Sequence, residues 1–296
     1  MTLGVVLVPL IGLAAAVAFA WGSWVNPLDL GIAAVLYVAT GLGVTVGFHR
    51  LFTHRSFTAC PALRASLAIL GSMAFQGELI GWVALHRRHH ALADQPGDPH
   101  SPYEYGGSGL APLRGLFHAH VGWLLRGEQA DSERYAPDLL KDKDIRTISR
   151  LFVPLSVLSL ALPFGLGWLF GDGIGSALTA LLWGGLVRIA LLQHVTWSVN
   201  SLCHVVGRRP FRTRGHDRAT NLRLLSVVSL GDSWHNAHHA FPGCARHGVD
   251  AGQADPSAAL IKLFERCGWA TDVRWPDASR LDRLRTHVAA PGVDTA

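Results

Sequence analysis

The chain reads as an all-α integral membrane protein: four transmembrane helices in two hairpins, under a cytoplasmic helical cap that holds a histidine-rich site. Three observations predict this. The 296 residues are 49% hydrophobic and only 16% charged, which is charge-poor for a soluble protein of this size. All 26 Lys and Arg fall into two blocks, 12 from Arg50 to Arg150 and 14 from Arg188 onward. That asymmetry is the positive-inside pattern of a membrane protein whose polar parts share the cytoplasmic side. Finally, eight of the 16 histidines lie in three boxes, at His49 and His54, at His86, His89 and His90, and at His235, His238 and His239.

The elements follow in order. Residues 3–24 are uncharged and long enough to cross a hydrocarbon core of about 30 Å; no basic residue precedes them, as a secretory signal would require. After an Asn26-Pro27 turn, 28–48 forms a second span, so 1–48 is a hairpin. Residues 49–150 form the first cytoplasmic block. In it 61–85, which carries Arg64, Gln76 and Glu78, reads as one helix lying partly in the interface. Asp94 to Gly109 reads as loop, and Asp131 to Arg150 as a charged, solvated connection. The second hairpin, 151–198, breaks at Gly171-Asp172-Gly173, and Arg188 inside it must face the interior or a headgroup. Residues 199–296 form the second cytoplasmic block, with an amphipathic stretch at 221–234 and a loose tail beyond about residue 286.

Four spans put both termini and all three boxes on the basic face. On a helix, positions i, i+3 and i+4 share a face, so each H-x-x-H-H box aims its imidazoles at one point. His49 and His54 lie about 140° apart on an ideal α-helix and fit only a place where the second span ends and the chain turns. Asn200 and His204, i and i+4, take the matching place at the end of the fourth span. Nine histidines and an asparagine exceed the four ligands of one zinc and suit two metal ions. Iron is favoured, because imidazole binds iron, zinc and copper alike and zinc has no oxygen chemistry. Asp94, Asp98 and Asp232 lie beside the boxes, placed to hold a ligand imidazole in its tautomer. His194, His216, His247 and His287 read as ordinary histidines, and His118 and His120 as outlying contacts.

The charge excess of +5 comes with no nucleic-acid motif, which argues against a nucleic-acid partner. Cys60, Cys203, Cys244 and Cys267 contain no C-x-x-C pair, which excludes a disulfide framework, a zinc ribbon and an iron–sulfur motif. Haem fits poorly, because the histidines cluster at helix ends and in loops. The Glu-x-x-His pattern of carboxylate di-iron bundles is absent.

His49-Arg50-Leu51-Phe52-Thr53-His54, His86-Arg87-Arg88-His89-His90 and His235-Asn236-Ala237-His238-His239 resemble the three histidine boxes of the membrane fatty acyl desaturases, nearest to the Δ9 (stearoyl-CoA) branch and its bacterial relatives. Further matches are the run from Asp94 to His100, His120-Val121-Gly122-Trp123, Thr196 to Ser201, and Ala245-Arg246-His247-Gly248. The resemblance implies a cytosol-facing di-iron centre held by nine histidines, with Asn200 acting through a water. It implies that O2 and two external electrons remove two hydrogens from a long-chain saturated acyl-CoA or acyl-lipid, leaving a cis double bond. Gln76, Trp82, Thr196 and Trp197 match the positions that line and bend the acyl tunnel. Arg126 and Arg188 are expected to contact an anionic headgroup.

Three features depart from that pattern. Trp82-Val83-Ala84-Leu85 replaces the W-x-R-D of animal acyl-CoA enzymes, which leaves the carrier open between CoA, acyl carrier protein and lipid. Asp232 stands for a usual Glu, and Ala237 for an Asn or Tyr. With no fused cytochrome b5 or ferredoxin motif, the electrons must come from a separate donor: a ferredoxin, a cytochrome b5-like protein or an NAD(P)H-linked reductase. The rival readings are a di-iron acyl hydroxylase of the same superfamily and a zinc-dependent membrane hydrolase.

Overall fold

The computed structural model describes residues 2–20 and 25–286; His287 and the tail lie outside them. Among the described residues three helices are long and apolar enough to cross a membrane: α2 (Pro27–Thr53), α5 (Phe152–Phe170) and α6 (Ile174–His204). The helix before them, α1 (Thr2–Ala15), runs on as a π turn through Ala20. Residues 21–24 of the expected first span lie outside the described residues, and what is described of it is shorter than the other three.

The start of α2 follows from its first four residues. The Asn26 side chain accepts from the Asp29 amide at 3.0 Å, and Asp29 Oδ2 accepts from the Asn26 amide at 3.3 Å. Pro27 occupies the first turn, where a missing N–H costs nothing. The helix then passes the expected end at residue 48. Its last eleven residues, Gly43–Thr53, are π-helical, and this corrects the expectation for the first box. Bonds from i to i+5 stack residues five apart: His54 N donates to His49 O at 3.1 Å, and the two rings lie 5.0 Å apart. Both imidazoles therefore share one face.

The single helix expected over 61–85 is two, α3 (Pro61–Ser72) and α4 (Leu79–Leu92). Between them Phe75 (φ 59°) and Gly77 (φ 104°) adopt left-handed backbone, and Glu78 restarts the helix by accepting from the Ile80 and Gly81 amides. The first of these helices lies directly on the π segment: a Cβ on Gly43 would stand 2.2 Å from Gly71 N. Only glycine permits so close a backbone approach.

The connection 131–150 is likewise not solvated chain. It forms three short helices, Ser132–Tyr135, Pro137–Lys141 and Lys143–Arg150. Ala136, Leu139 and Ile145 join the main core with Phe48, Leu51, Phe52, Leu79 and Val83. Charged residues face outward and a sparse apolar set faces in, so charge content alone misreads it.

The second hairpin breaks at Gly173 (φ 84°), and its last helix continues past residue 198 to His204. The stretch 221–234 is not an amphipathic helix. The Asn221 backbone pairs with Arg208 (2.7 and 3.1 Å) and Leu222 N bonds to Ser233 O at 2.9 Å, so only one 3-10 turn, Arg223–Leu225, remains. Leu230 (φ 54°) and Gly231 (φ 102°) then turn the chain sharply to present Asp232. Three short helices follow, α7 (His235–Ala240), α8 (Pro256–Arg266) and α9 (Ala278–Leu284). Strand β1 (Thr58–Ala59) pairs antiparallel with β2 (Ala270–Thr271), tying the end of the chain to the first block.

Candidate metal centre

All nine histidines named from the sequence converge, and they sort into two groups. His49, His54, His86, His90 and His238 form one; His89, His204, His235 and His239 form the other. Within each group the ring nitrogens lie within 4.8 Å of one another. Helix α4 serves both, since His86 and His90 point one way and His89 the other. The short α7 divides in the same manner, with His238 in the first group and His235 and His239 in the second.

Four rings are oriented by carboxylates. His49 Nδ1 lies 2.9 Å from Asp232, His89 Nδ1 2.9 Å from Asp98, His204 Nδ1 2.8 Å from Asp94, and His239 Nδ1 2.8 Å from Asp217. A carboxylate takes the Nδ1 proton, so each Nε2 presents a lone pair inward. His204 and His239 both aim such lone pairs at His235 Nε2, at 3.0 and 3.1 Å. One nitrogen carries one proton at most, so a single N–H cannot point along both contacts and at least one inward lone pair is left without a donor. A cation among the three nitrogens would satisfy it. Around the first group the Nε2 atoms of His49, His238, His90 and His86 form a chain of 3.0, 2.9 and 3.1 Å contacts with the same shortage of protons. His54 Nε2 and His89 Nε2 are buried with no partner among the described residues. The donor sets fit one metal ion in each group.

Asp94, Asp98 and Asp232 were named from the sequence; Asp217 was not, because it sits in an irregular loop with no spacing rule to the third box. Burial alone would raise Asp232, but His49 and Arg50 outweigh it and hold the carboxyl well below the usual range. Asp98 is lowered in the same way, burial being outweighed by His89. Asp217 differs, since burial pushes its carboxyl up. His100 and His247, which read as no ligand in the sequence, also stand beside the two groups. His100 lies 4.3 Å from the His89 ring, and His247 4.4 Å from the His238 ring with Nδ1 3.3 Å from Asp232. The D-x-x-x-D-P-H and A-R-H-G matches were the signals that pointed to them.

Beside the histidines lies a cavity that contains all four tunnel positions, Gln76, Trp82, Thr196 and Trp197, together with Asn200. Trp82 stacks on His86 at 5.0 Å, and Gln76 Nε2 reaches Thr196 Oγ1 at 3.5 Å. His49, His86 and His235 form part of the same wall. A second cavity shares Gln76, Trp82, Leu85, Trp123 and Trp197 with the first and reaches the exposed Gly127 and Gln129.

A model of the fatty acid desaturase family matches residues 23–255. The chain belongs to the fatty acid desaturase family. It is 39% identical to the hex-5-enoyl-[acyl-carrier protein] acetylenase of Moorena producens, over 93% of this chain and 86% of that one. With Delta-9 acyl-lipid desaturase 1 of Arabidopsis thaliana the identity is 37%, over 86% of this chain and 78% of that one. With the sn-1 stearoyl-lipid 9-desaturase of Anabaena variabilis it is 35%, over 88% and 86%. These relatives mark the protein as an oxidoreductase acting on fatty acyl chains, in a membrane family that is di-iron.

Of the two arginines expected at a headgroup in this family member, Arg188 is buried and Arg126 exposed. Arg188 faces the bundle interior, where Nε donates to Gly184 O at 2.9 Å, Nη1 to Thr40 Oγ1 at 3.4 Å and Nη2 to Ser159 Oγ at 2.9 Å. A charge within a span is tolerated when backbone and hydroxyl oxygens satisfy it. Arg126 is exposed and paired with Glu104 at 2.7 Å. His118 also pairs with Glu104, at 2.9 Å. His120 and His194 form their own pair at 2.9 Å, apart from the two groups.

Two expectations follow for this desaturase-family chain. Asp217→Ala removes the carboxylate that sets the His239 tautomer, and metal affinity should fall about 10–100-fold. Competition with a chelator measures this. Burial first, then the neighbouring histidines, push His86, His90, His235, His238 and His239 well below 6.5. His89 moves the other way: burial lowers it, but Asp98 outweighs that. Below pH 6.5 the unfolded chain binds protons that these five refuse, so acid favours unfolding by up to about 1.4 kcal/mol per histidine per pH unit. Metal-free protein should therefore melt lower at pH 5.5 than at pH 7.5, and bound metal should protect it.

Proposed function

We propose that the chain is a multi-pass membrane desaturase with its histidine site on the cytosolic side. It inserts a cis double bond, at Δ9, into a long-chain saturated acyl group. The balanced reaction is R–CH2–CH2–R′ + O2 + 2 e⁻ + 2 H⁺ → R–CH=CH–R′ + 2 H2O, with the electrons supplied by a separate donor protein. The observation that carries this reading is the common wall: His49, His86 and His235 line the cavity that also holds Gln76, Trp82, Thr196 and Trp197. Histidine donors stand beside an apolar slot suited to an alkyl chain.

In this reading the nine histidines would hold two iron ions, and Asn200 would act on one of them through a water. Iron, when bound, supplies the activation of O2. The protein's own residues do the rest. Asp94, Asp98, Asp217 and Asp232 keep four imidazoles in the tautomer a metal needs. Trp82 and Trp197, held by packing, fix one stretch of a featureless chain beside the histidines, so that position alone selects the bond. The mouth supports a lipid-borne chain. Its lining contains Glu78 and Glu128 and, among the described residues, no Lys or Arg. Phe152, where α5 begins, stands in the same wall and puts the opening at span-end depth. Polyanionic CoA or an acidic carrier protein meets no cation in that lining, and the adjacent Arg88 is already engaged by Glu128 and the Gln129 carbonyl.

The test is the fatty-acid profile of cells lacking their own desaturase, with and without this chain, by gas chromatography with double-bond localisation. A new cis-9 monoene is expected. A hydroxylated chain would replace the reading by the hydroxylase. A triple bond made from an enoyl chain would replace it by the activity for which the Moorena relative is named. Native zinc with no O2 consumption would leave the zinc hydrolase.

A further inference from the structure

The longest uncompensated run of charge outside the site follows the last residue of α6. Between His204 and Asn221 the chain carries Arg208, Arg209, Arg212, Arg214 and Arg218, and a single acid, Asp217. All five arginines are exposed. None makes an ion pair with an acid among the described residues. Asp217 offers no outward compensation, since it is buried with its oxygens on His239 Nδ1 and the Ala219 amide. Exposed Arg283, whose carbonyl accepts from Arg212, extends the patch.

This loop is also the surface most directly joined to the histidines. Arg214 Nη1 donates to His90 O at 3.2 Å. Asp217 Oδ2 holds His239 Nδ1 at 2.8 Å. The Arg218 amide donates to Asp94 Oδ2 at 2.8 Å, and the same oxygen holds His204 Nδ1 at 2.8 Å. Three histidines, spread over both groups, are thus one or two hydrogen bonds from exposed chain. None of the five arginines lines either of the two cavities that share a wall, so a protein seated here leaves both of them free.

We propose that the arginine loop 208–218 is the docking site of an acidic one-electron carrier protein. The inference rests on the oxidoreductase reading, in which each double bond consumes two electrons. They arrive singly, in two dockings, each reducing the histidine-held centre by one equivalent while the carrier is oxidised by one. Unpaired arginines steer an acidic partner and fix its register. The rival occupant of a basic loop at the end of a span is an anionic lipid headgroup. The links to His90, His204 and His239 favour the carrier, because a headgroup has no use for them.

The test uses the iron-loaded protein in neutral detergent and a small acidic [2Fe–2S] ferredoxin as probe. Arg208→Gln/Arg212→Gln, whose side chains touch no histidine, should raise the ferredoxin KM about 10-fold with kcat at saturation and iron content retained. It should also weaken binding to immobilised ferredoxin by a similar factor and flatten its salt dependence. The remote exposed pair Arg150→Gln/Arg266→Gln, with the same loss of charge, should do neither. Ferredoxin KM and binding within twofold of that control would overturn the proposal. So would an effect that appears only in vesicles of anionic phospholipid, which would assign the loop to the membrane. Should the native protein desaturate nothing with either ferredoxin or dithionite, the oxidoreductase reading fails, while the binding comparison still decides the docking site.

Discussion

Replacing His238 with alanine should abolish product formation and leave the protein with about half its metal. His238 Nε2 stands 3.0 Å from His49 Nε2 and 2.9 Å from His90 Nε2, so it links the two halves of the five-histidine group. Its removal opens that group at the centre, while His89, His204 and His239 keep their own carboxylate partners and His235 keeps its contacts with His204 and His239. Loss of an outer-shell partner alone costs about 10–100-fold, so loss of an inner nitrogen should cost at least the upper end of that range. Metal analysis should fall from two equivalents towards one, with little change in thermal stability of the chelated protein. Full metal content with full activity would remove His238 from the centre and undo the two-group assignment.

Arg50→Met should destabilise the fold more than any ligand substitution. Arg50 is completely buried. Its guanidinium donates to Asp232 at 2.7 Å, to Asp255 at 3.2 Å, and to the carbonyls of Ala245 and Thr45 at 3.1 Å each. One side chain therefore ties the π segment of α2 to the turn before α7 and to the cap of α8. Methionine matches its length but leaves two buried carboxylates facing no cation. Removing one partner of such a network costs about 3–5 kcal/mol. Thermal unfolding in detergent and the fraction eluting as a single folded species should both drop sharply, and Arg50→Lys should recover only part, lacking the fork that reaches four acceptors at once. A melting point within a degree or two of native would show that the network is dispensable.

Both predictions turn on where the chain's readable patterns end. The nine histidines, their neighbours Asp94, Asp98 and Asp232 and the three long apolar helices are legible as local signals, because helical spacing and hydropathy repeat within a turn or two of chain; the four cavity residues are legible only through the family resemblance. The distribution of ligands between two groups is partly local as well: i, i+3 and i+4 on α4 force His89 away from His86 and His90. Asp217 carries no comparable signal and His100 and His247 only the family matches around them; all three come beside the histidines when irregular loops fold back onto the helices. The π segment of α2 escapes hydropathy altogether. Its backbone differs from an α-helix by one residue per hydrogen bond, yet that difference brings His49 and His54 onto one face. Arg188 shows the same limit, since a lone charge in an apolar run has two physical solutions and only its neighbours, Thr40 and Ser159 from two other helices, select the interior one. Local composition determined which side chains carry the chemistry and which segments are apolar enough to enter a membrane. Tertiary packing decided which histidines share a metal, which carboxylate orients each ring and which arginines are left facing outward, because those choices depend on how loops fold back and on contacts such as His49–Asp232 and His204–Asp94, 183 and 110 positions apart.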